Sequence, residues 1–241
     1  MKTKAVVLAA GLGTRMNSDV PKAMHTIEGR PMINILIDAI NQAQINDIIV
    51  VIGPDMDMVA KAVQPYQTVV QDKQLGTAHA VLAAEKYLAP FDGDAIILYG
   101  DQPLYLPETL QKMLQKCRAG ADVVVLGFIP PDARRYGRLV MGDDGLERIV
   151  EYKDATDDER AIKLCNSGAM CVNGKYILSL LKQIKNDNAA GEYYLPDVVS
   201  LARAQGLKCD VVIGDTEELH GINTPEELDM AREIYRRRKN D

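Results

Sequence analysis

Ala5-Val6-Val7-Leu8-Ala9-Ala10-Gly11-Leu12-Gly13-Thr14-Arg15-Met16 is a short apolar run that breaks into a loop carrying two glycines and a cation. The run is too short for a secretory leader and reads as a strand buried on both faces. The same punctuation recurs at Ile48–Ile52, at the weaker Val69-Val70, at Ala95–Leu98 and at Val123–Leu126. Between these runs lie stretches of helical period at 31–44, 55–63, 77–88 and 107–119, the last opened by Pro107-Glu108 as a first helical turn prefers. Strands alternating with helices predict βαβ units, an α/β fold and a mostly parallel sheet.

The alternation loosens after about residue 130. Arg138–Met141, the turn Gly142-Asp143-Asp144-Gly145 and Leu146–Tyr152 read as a hairpin, and Cys165–Val172 as another strand. Helices are expected at about 174–184, 195–205 and 225–238, and a strand at about 208–213. The last helix carries Glu226 and Glu227 near its start and Arg236–Arg238 near its end, as the helix dipole favours. Asp154–Arg160 is the most loop-like segment.

The chain has 241 residues, 47% hydrophobic and 26% charged, with a formal net charge of −6. That acidic balance argues against nucleic acid or an anionic membrane as a partner, and no apolar stretch reaches membrane-spanning length. The four cysteines form no C-x-x-C pair and have no histidines grouped near them, which reads as reduced, buried thiols of a cytoplasmic protein.

In an open α/β sheet, ligands bind beyond the carboxyl ends of the strands. Gly11 and Gly13 allow a backbone to approach phosphate oxygens, Arg15 can grip them in a bidentate way, and Lys22 adds a second cation. Met16 stands where a dinucleotide fingerprint needs its third glycine, and G-x-x-x-x-G-K-[ST] is missing, which disfavours NAD and P-loop readings. Asn166-Ser167-Gly168 is not a nucleophile elbow, which disfavours a hydrolase. Asp101, just past an apolar strand, reads equally as a metal ligand or as a turn aspartate. Asn223 before Thr224-Pro225 reads as turn chemistry, and Thr77 as a helix cap.

Leu8 through Met16, followed by Pro21-Lys22, resembles the signature of the sugar-nucleotide pyrophosphorylases, a nucleotidyltransferase family. The segments Gln71–Ala80, Leu98–Leu104, Tyr136–Arg138, Ile149–Ala155, Asn166–Gly168, Asn186–Tyr194 and Gly221–Thr224 follow in the family's order and are similar to its branch that forms UDP-N-acetylglucosamine. The resemblance covers essentially the whole chain. It implies a Rossmann-like three-layer α/β/α fold with a mostly parallel mixed sheet. A single domain is expected, with a nucleotide-binding lobe over about 1–130, a smaller sugar-binding lobe over about 131–223 and a C-terminal helix over about 224–241. The implied reaction joins UTP to N-acetylglucosamine 1-phosphate with Mg²⁺ and releases pyrophosphate, in the cytoplasm and in service of peptidoglycan biogenesis.

Carried over by motif, Arg15 and Lys22 are the catalytic cations, and Asp101 and Asn223 the metal ligands. Leu8, Ala10, Gly11, Gly13, Gln71, Gly76 and Thr77 bind nucleotide, with Gln71 and Gly76 reading uracil. Tyr99, Gly137, Glu151, Asn166 and Tyr194 bind sugar. His25, His79 and His220 receive no role. Ser167 stands where threonine is common, Ala78 where glycine is, Gln102 where a small apolar residue is, and Pro196 where a hydroxyl residue is. These departures leave open another hexosamine 1-phosphate, N-acetylmuramate 1-phosphate or glucose 1-phosphate, and dTTP in place of UTP. A catalytically silent nucleotide-sugar-binding module is a remote alternative. Members of this branch continue into a left-handed β-helix that transfers acetyl groups. The chain shows no tandem hexapeptide pattern for one, so acetyl transfer is not expected, and a monomer or dimer is expected in place of a trimer.

Overall fold

The computed structural model describes residues 2–11, 13–16, 18–89, 91–133 and 136–240; Leu12 of the first loop lies outside them. The chain begins with strand β1 (Thr3–Leu8), a small hairpin of β2 (Thr26–Ile27) and β3 (Arg30–Pro31), then helix α1 (Met32–Gln42). Next come β4 (Asp47–Ile52), α2 (Asp57–Ala62), β5 (Gln67–Val70), α3 (Thr77–Ala83), α4 (Glu85–Leu88), β6 (Asp94–Tyr99), α5 (Pro107–Arg118) and β7 (Val123–Phe128). The hairpin β8 (Arg138–Gly142) and β9 (Gly145–Val150), α6 (Asp157–Ala161) and β10 (Cys165–Asn173) follow. The chain closes with α7 (Ile177–Leu181), α8 (Asp197–Ala204), β11 (Cys209–Ile213) and α9 (Pro225–Asn240).

The main sheet runs in the order β11-β7-β10-β6-β1-β4-β5, with β8 and β9 attached beside β10. β1 pairs parallel with β4 and β6, β4 with β5, and β7 with β11, while β10 is antiparallel to both β6 and β7. The expected α/β fold with a mostly parallel mixed sheet is therefore observed.

Strand periodicity sorts the core into two faces. Ala5, Val7, Ile48, Val50, Ile96 and Leu98 pack with Leu36 and Ile40 of α1, Val59 of α2 and Leu110 and Met113 of α5. Val6, Ile49, Val51, Ala95 and Ile97 face the other way, onto Val81 of α3, Leu88 of α4, Leu180 of α7 and Val198 and Val199 of α8. Every strand residue just named is buried, which is why these runs read as continuously apolar. Helix α9 forms a third cluster, placing Leu228, Ala231 and Ile234 against Ile27, Met32, Leu104 and Ile222.

Three expectations needed correction. The stretch 77–88 is two helices, because the Ala84 N–H turns back three residues to the Val81 carbonyl. The expected helix at 174–184 begins only at Ile177, because Gly174 is pressed against Phe91 and Gly93, where a Cβ would come within 2.3 Å of the Phe91 ring. The segment 154–160, read as a loop, holds α6. Thr156 and Glu159 close a reciprocal capping box there, a T-x-x-E signature present in the sequence. The β2–β3 hairpin was not foreseen. It turns at Glu28-Gly29, both with positive φ, and glutamate is unusual in such a turn. All four cysteines are buried and unbridged, in line with the reading of reduced thiols. No helix among the described residues is long and apolar enough to cross a membrane.

Glu218, only 1% exposed, pins the loop before α9 to the start of α5. Its carboxylate accepts from the Leu106 N–H (2.9 Å), the Thr109 hydroxyl (2.9 Å) and the Asp215 N–H (2.9 Å). Glu218→Ala strands the buried Thr109 hydroxyl and releases two less buried backbone donors, and is expected to lower the unfolding free energy by about 1–3 kcal/mol in urea titrations, against less than about 0.5 kcal/mol for an exposed control such as Glu233→Ala.

Candidate active site

A cleft opens beyond the carboxyl ends of β1, β5 and β6, where this class of sheet takes ligands. Leu8, Ala10 and Gly11 line it from the first loop, Gln71, Gly76 and Thr77 from the loop entering α3, and Tyr99 and Asp101 from the end of β6; Lys22 closes one side. Gly13, at φ +62°, backs Lys22: a Cβ there would lie 2.7 Å from the Lys22 Cβ, so the glycine lets the two segments meet.

Lys22, Asp101 and Asn223 converge although far apart in sequence. The Lys22 Nζ donates to Asp101 Oδ2 at 2.5 Å and to Asn223 Oδ1 at 3.0 Å. Arg15 Nη2 donates to the same Asn223 oxygen at 2.8 Å. The amide of Asn223 is oriented by its own Nδ2, which donates to the Gly221 carbonyl at 3.1 Å. Glu227 accepts from the Asn223 and Thr224 N–H groups while the Glu227 N–H returns to Thr224 Oγ1, a capping arrangement that anchors this loop on α9. The Ile222 N–H donates to the Asp101 carbonyl at 2.9 Å, so the two oxygen-bearing loops are stitched backbone to backbone.

Gly76 is required by packing: at φ +121°, a Cβ on it would lie 2.5 Å from the Tyr193 carbonyl oxygen. Tyr193 bridges this turn, its N–H donating to Leu75 and its carbonyl accepting from Ala78. Gly76 itself caps α3. The Thr77 hydroxyl, read as a cap, instead accepts from the Leu195 N–H at 2.9 Å and so ties α3 to the segment before α8. Buried Gln71 donates through Nε2 to the Gly76 carbonyl and lies 3.2 Å from His79 Nδ1, which gives His79 a partner. Gln74, not singled out from sequence, also lines the cleft and donates to the Ala10 carbonyl at 2.5 Å. Its Q-x-x-Q spacing after Gln71 was the available signal.

A second depression adjoins the first through Glu192, which lines both. It holds Arg15, Glu151 and Tyr194, with Asp132, Tyr152, Lys153 and Ala190. Gly137 lies against Glu151, where a Cβ would meet Glu151 Oε1 at 3.0 Å. Asn166 is buried; its N–H donates to the Gly137 carbonyl, and its Oδ1 accepts from the Gly168 N–H. Gly168 in turn lies over Tyr99, 2.7 Å from the ring to a hypothetical Cβ. Tyr99, expected on the sugar side, lines the first cleft and packs on Gly168 without lining the second depression. Burial holds its phenol well above the ordinary range, a hydrogen bond with Thr77 opposing.

Burial, then the charges of Asp154 and Asp197, pushes the Glu151 carboxyl above the usual carboxylate range. A raised folded-state pKa means the protonated form is favoured by folding. Its stabilising contribution is complete below the unfolded value near 4.5 and is lost as pH rises through the raised value. Glu151→Gln, which mimics the neutral acid, is therefore expected to raise the melting temperature at pH 7. The gain should shrink towards zero below pH 4.5, as read by calorimetry across pH.

Residues 5–163 match the family profile of the MobA-like NTP transferase domain. The chain is 53% identical over 239 residues to the bifunctional protein GlmU of Rhodospirillum rubrum, covering 98% of this chain and 54% of that protein. It is 50% identical over 239 residues to the bifunctional protein GlmU of Paramagnetospirillum magneticum, covering 98% and 53%. It is 48% identical over 237 residues to that of Cereibacter sphaeroides, covering 97% and 52%. The chain thus spans about half the length of the curated relatives it matches. By the residues matched, the sheet and the loops that build its cleft, the chain belongs to the MobA-like NTP transferase domain family.

Proposed function

We propose that the chain is a Mg²⁺-dependent nucleotidyltransferase that makes UDP-N-acetylglucosamine and pyrophosphate from UTP and N-acetylglucosamine 1-phosphate. One observation carries the reading: two cations and two hard oxygen ligands from three separate loops meet at one edge of the cleft. The likeness to the GlmU proteins over almost the whole chain supports it.

In this reaction a sugar-phosphate oxygen attacks the α-phosphorus of UTP, a new P–O bond forms, and the bond to the β-phosphate oxygen breaks with pyrophosphate leaving in line. The nucleophile is already an anion, so the protein has no proton to remove. Its work is to hold two polyanions together and offset their charge. Arg15 and Lys22 are suited to grip the triphosphate and the charge that develops on it. Leu8, Ala10, Gly11 and Gly13 set the backbone path beneath the nucleotide, and Thr77 fixes the start of α3 beside it. Gln71 and Gly76 stand where the uracil edge would be read. Glu151, Asn166, Gly137, Tyr99 and Tyr194 present acceptors, a donor and aromatic faces to sugar hydroxyls and the acetamido group.

Asp101 Oδ2 and Asn223 Oδ1 fit a divalent cation. Both oxygens already face one cation, the Lys22 ammonium. No group of three or more His, Cys, Asp and Glu side chains among the described residues is placed to hold a metal. One carboxylate and one amide oxygen suit Mg²⁺, which keeps waters and takes substrate phosphate for its other positions. When bound, Mg²⁺ would supply charge neutralisation at the phosphates. Unbridged buried thiols suit a reducing compartment, and we assign the protein to the cytoplasm on that ground.

Pyrophosphate release should be seen with UTP and N-acetylglucosamine 1-phosphate, should be abolished by chelation, and should be weaker with dTTP, CTP, ATP or GTP and with other sugar 1-phosphates. Folded protein that releases none with any pair would overturn the reading. Arg15→Ala and Lys22→Ala should each lower kcat roughly 10²–10³-fold while leaving the circular dichroism spectrum unchanged.

A further inference from the structure

Gln102 stands beside Asp101 and is a buried polar side chain with 5% exposure. Its Nε2 donates to the Ser167 carbonyl at 2.7 Å, and its Oε1 accepts from the hydroxyl of buried Tyr105. The Gln102 N–H donates to the Tyr99 carbonyl at 3.1 Å, closing the turn after β6. Ser167 lies where the pairing of β10 with β7 shifts register, between Asn166 and Met170. Within that irregularity Gly168 adopts φ +100° and packs on Tyr99. A bulge of this kind leaves a carbonyl outside the ladder, and a buried carbonyl needs a donor. Gln102 provides it. The same amide lies 3.9 Å from the Cβ position of Gly221, whose carbonyl orients Asn223.

We propose that Gln102 is a positioning residue: held by Tyr105, its amide fastens the β10 bulge carrying Asn166 to the loop carrying Asp101, and so sets where the sugar sits relative to the phosphates. The inference rests on the reading of the cleft given above. A residue holding only the fold together would, when removed, lower stability without separating the two substrates. A strut between the sugar side and the phosphate side separates them. Gln102→Leu removes the donor to Ser167 and the acceptor for Tyr105 while keeping bulk. Gln102→Glu keeps an acceptor for Tyr105 and, when ionised, replaces the donor to Ser167 with a charged acceptor beside Asp101. Tyr105→Phe leaves the Ser167 bond in place and tests the relay.

The test combines two readouts on the intact chain. Amide hydrogen exchange, which needs no substrate, should quicken in the 166–169 segment of Gln102→Leu and Gln102→Glu and remain as in the parent across β1 and β4. Calorimetric binding of UDP should be unchanged in Gln102→Leu, while its binding of UDP-N-acetylglucosamine should weaken on the order of tenfold, the size of one lost buried hydrogen bond. KM for the sugar 1-phosphate should rise by a similar factor with KM for UTP unaltered. Tyr105→Phe should show the same pattern at smaller amplitude. Unchanged exchange at 166–169, or equal loss of UDP and UDP-N-acetylglucosamine binding, would overturn the proposal. A parent protein that binds neither ligand would sink the uridylyltransferase reading instead, and the exchange experiment would still decide whether Gln102 holds the bulge.

Discussion

The ammonium of Lys22 sits between a carboxylate 79 residues away and an amide oxygen 201 residues away, at 2.5 and 3.0 Å. Much of the cleft's architecture makes that meeting possible. Parallel pairing of β1 with β6 brings Leu8 level with Tyr99, so the loop of Arg15 and the loop of Asp101 leave the sheet side by side. Gly13 gives Lys22 room to approach. The Ile222–Asp101 backbone hydrogen bond and the Glu227 cap then hold Asn223 to the same point. Opposite charges and lone pairs satisfy one another here.

The rest of the cleft is held by close backbone approaches. Gly76 lets Tyr193 lie directly across the turn before α3, and Thr77 reaches Leu195. The first half of the chain is thereby tied to the segment of Glu192 and Tyr194 that borders both depressions. Tyr99, Gly168 and Asn166 form a second tie, and Gln102 a third. Small residues and amides carry these joints because neither demands a paired charge in a buried place.

The carboxylates around Glu151 show the opposite choice. Asp154 and Asp197 crowd Glu151, and Asp187 and Asp154 crowd Asp197, so burial and like charge lift both groups. Such an arrangement works against stability at neutral pH. Its presence beside Tyr194 and Arg15 suits a surface shaped for a polar ligand better than one shaped for packing.

Most of the sheet could be read from one dimension. Strands buried on both faces are uninterrupted apolar runs, and glycine, proline and charge mark their ends, so β1, β4, β6 and β7 were legible at nearly their true bounds. The α6 capping box is also written in the sequence, as Thr156 followed three residues later by Glu159. Arg15 and Lys22 read as phosphate-binding cations from their place after the first strand, whereas Asp101 reads equally as a turn aspartate and Asn223 as turn chemistry, and their role as metal ligands comes only from the family resemblance. What the chain alone did not contain was distance. The antiparallel insertion of β10 between β6 and β7, the Tyr193 crossing over Gly76, and the hydrogen bond from Gln102 to the Ser167 carbonyl are contacts between segments dozens of residues apart. Local residue preferences reflect each segment's own conformation. Which segments become neighbours depends on how two apolar faces of one twisted sheet are covered, and that is decided only when the whole chain packs.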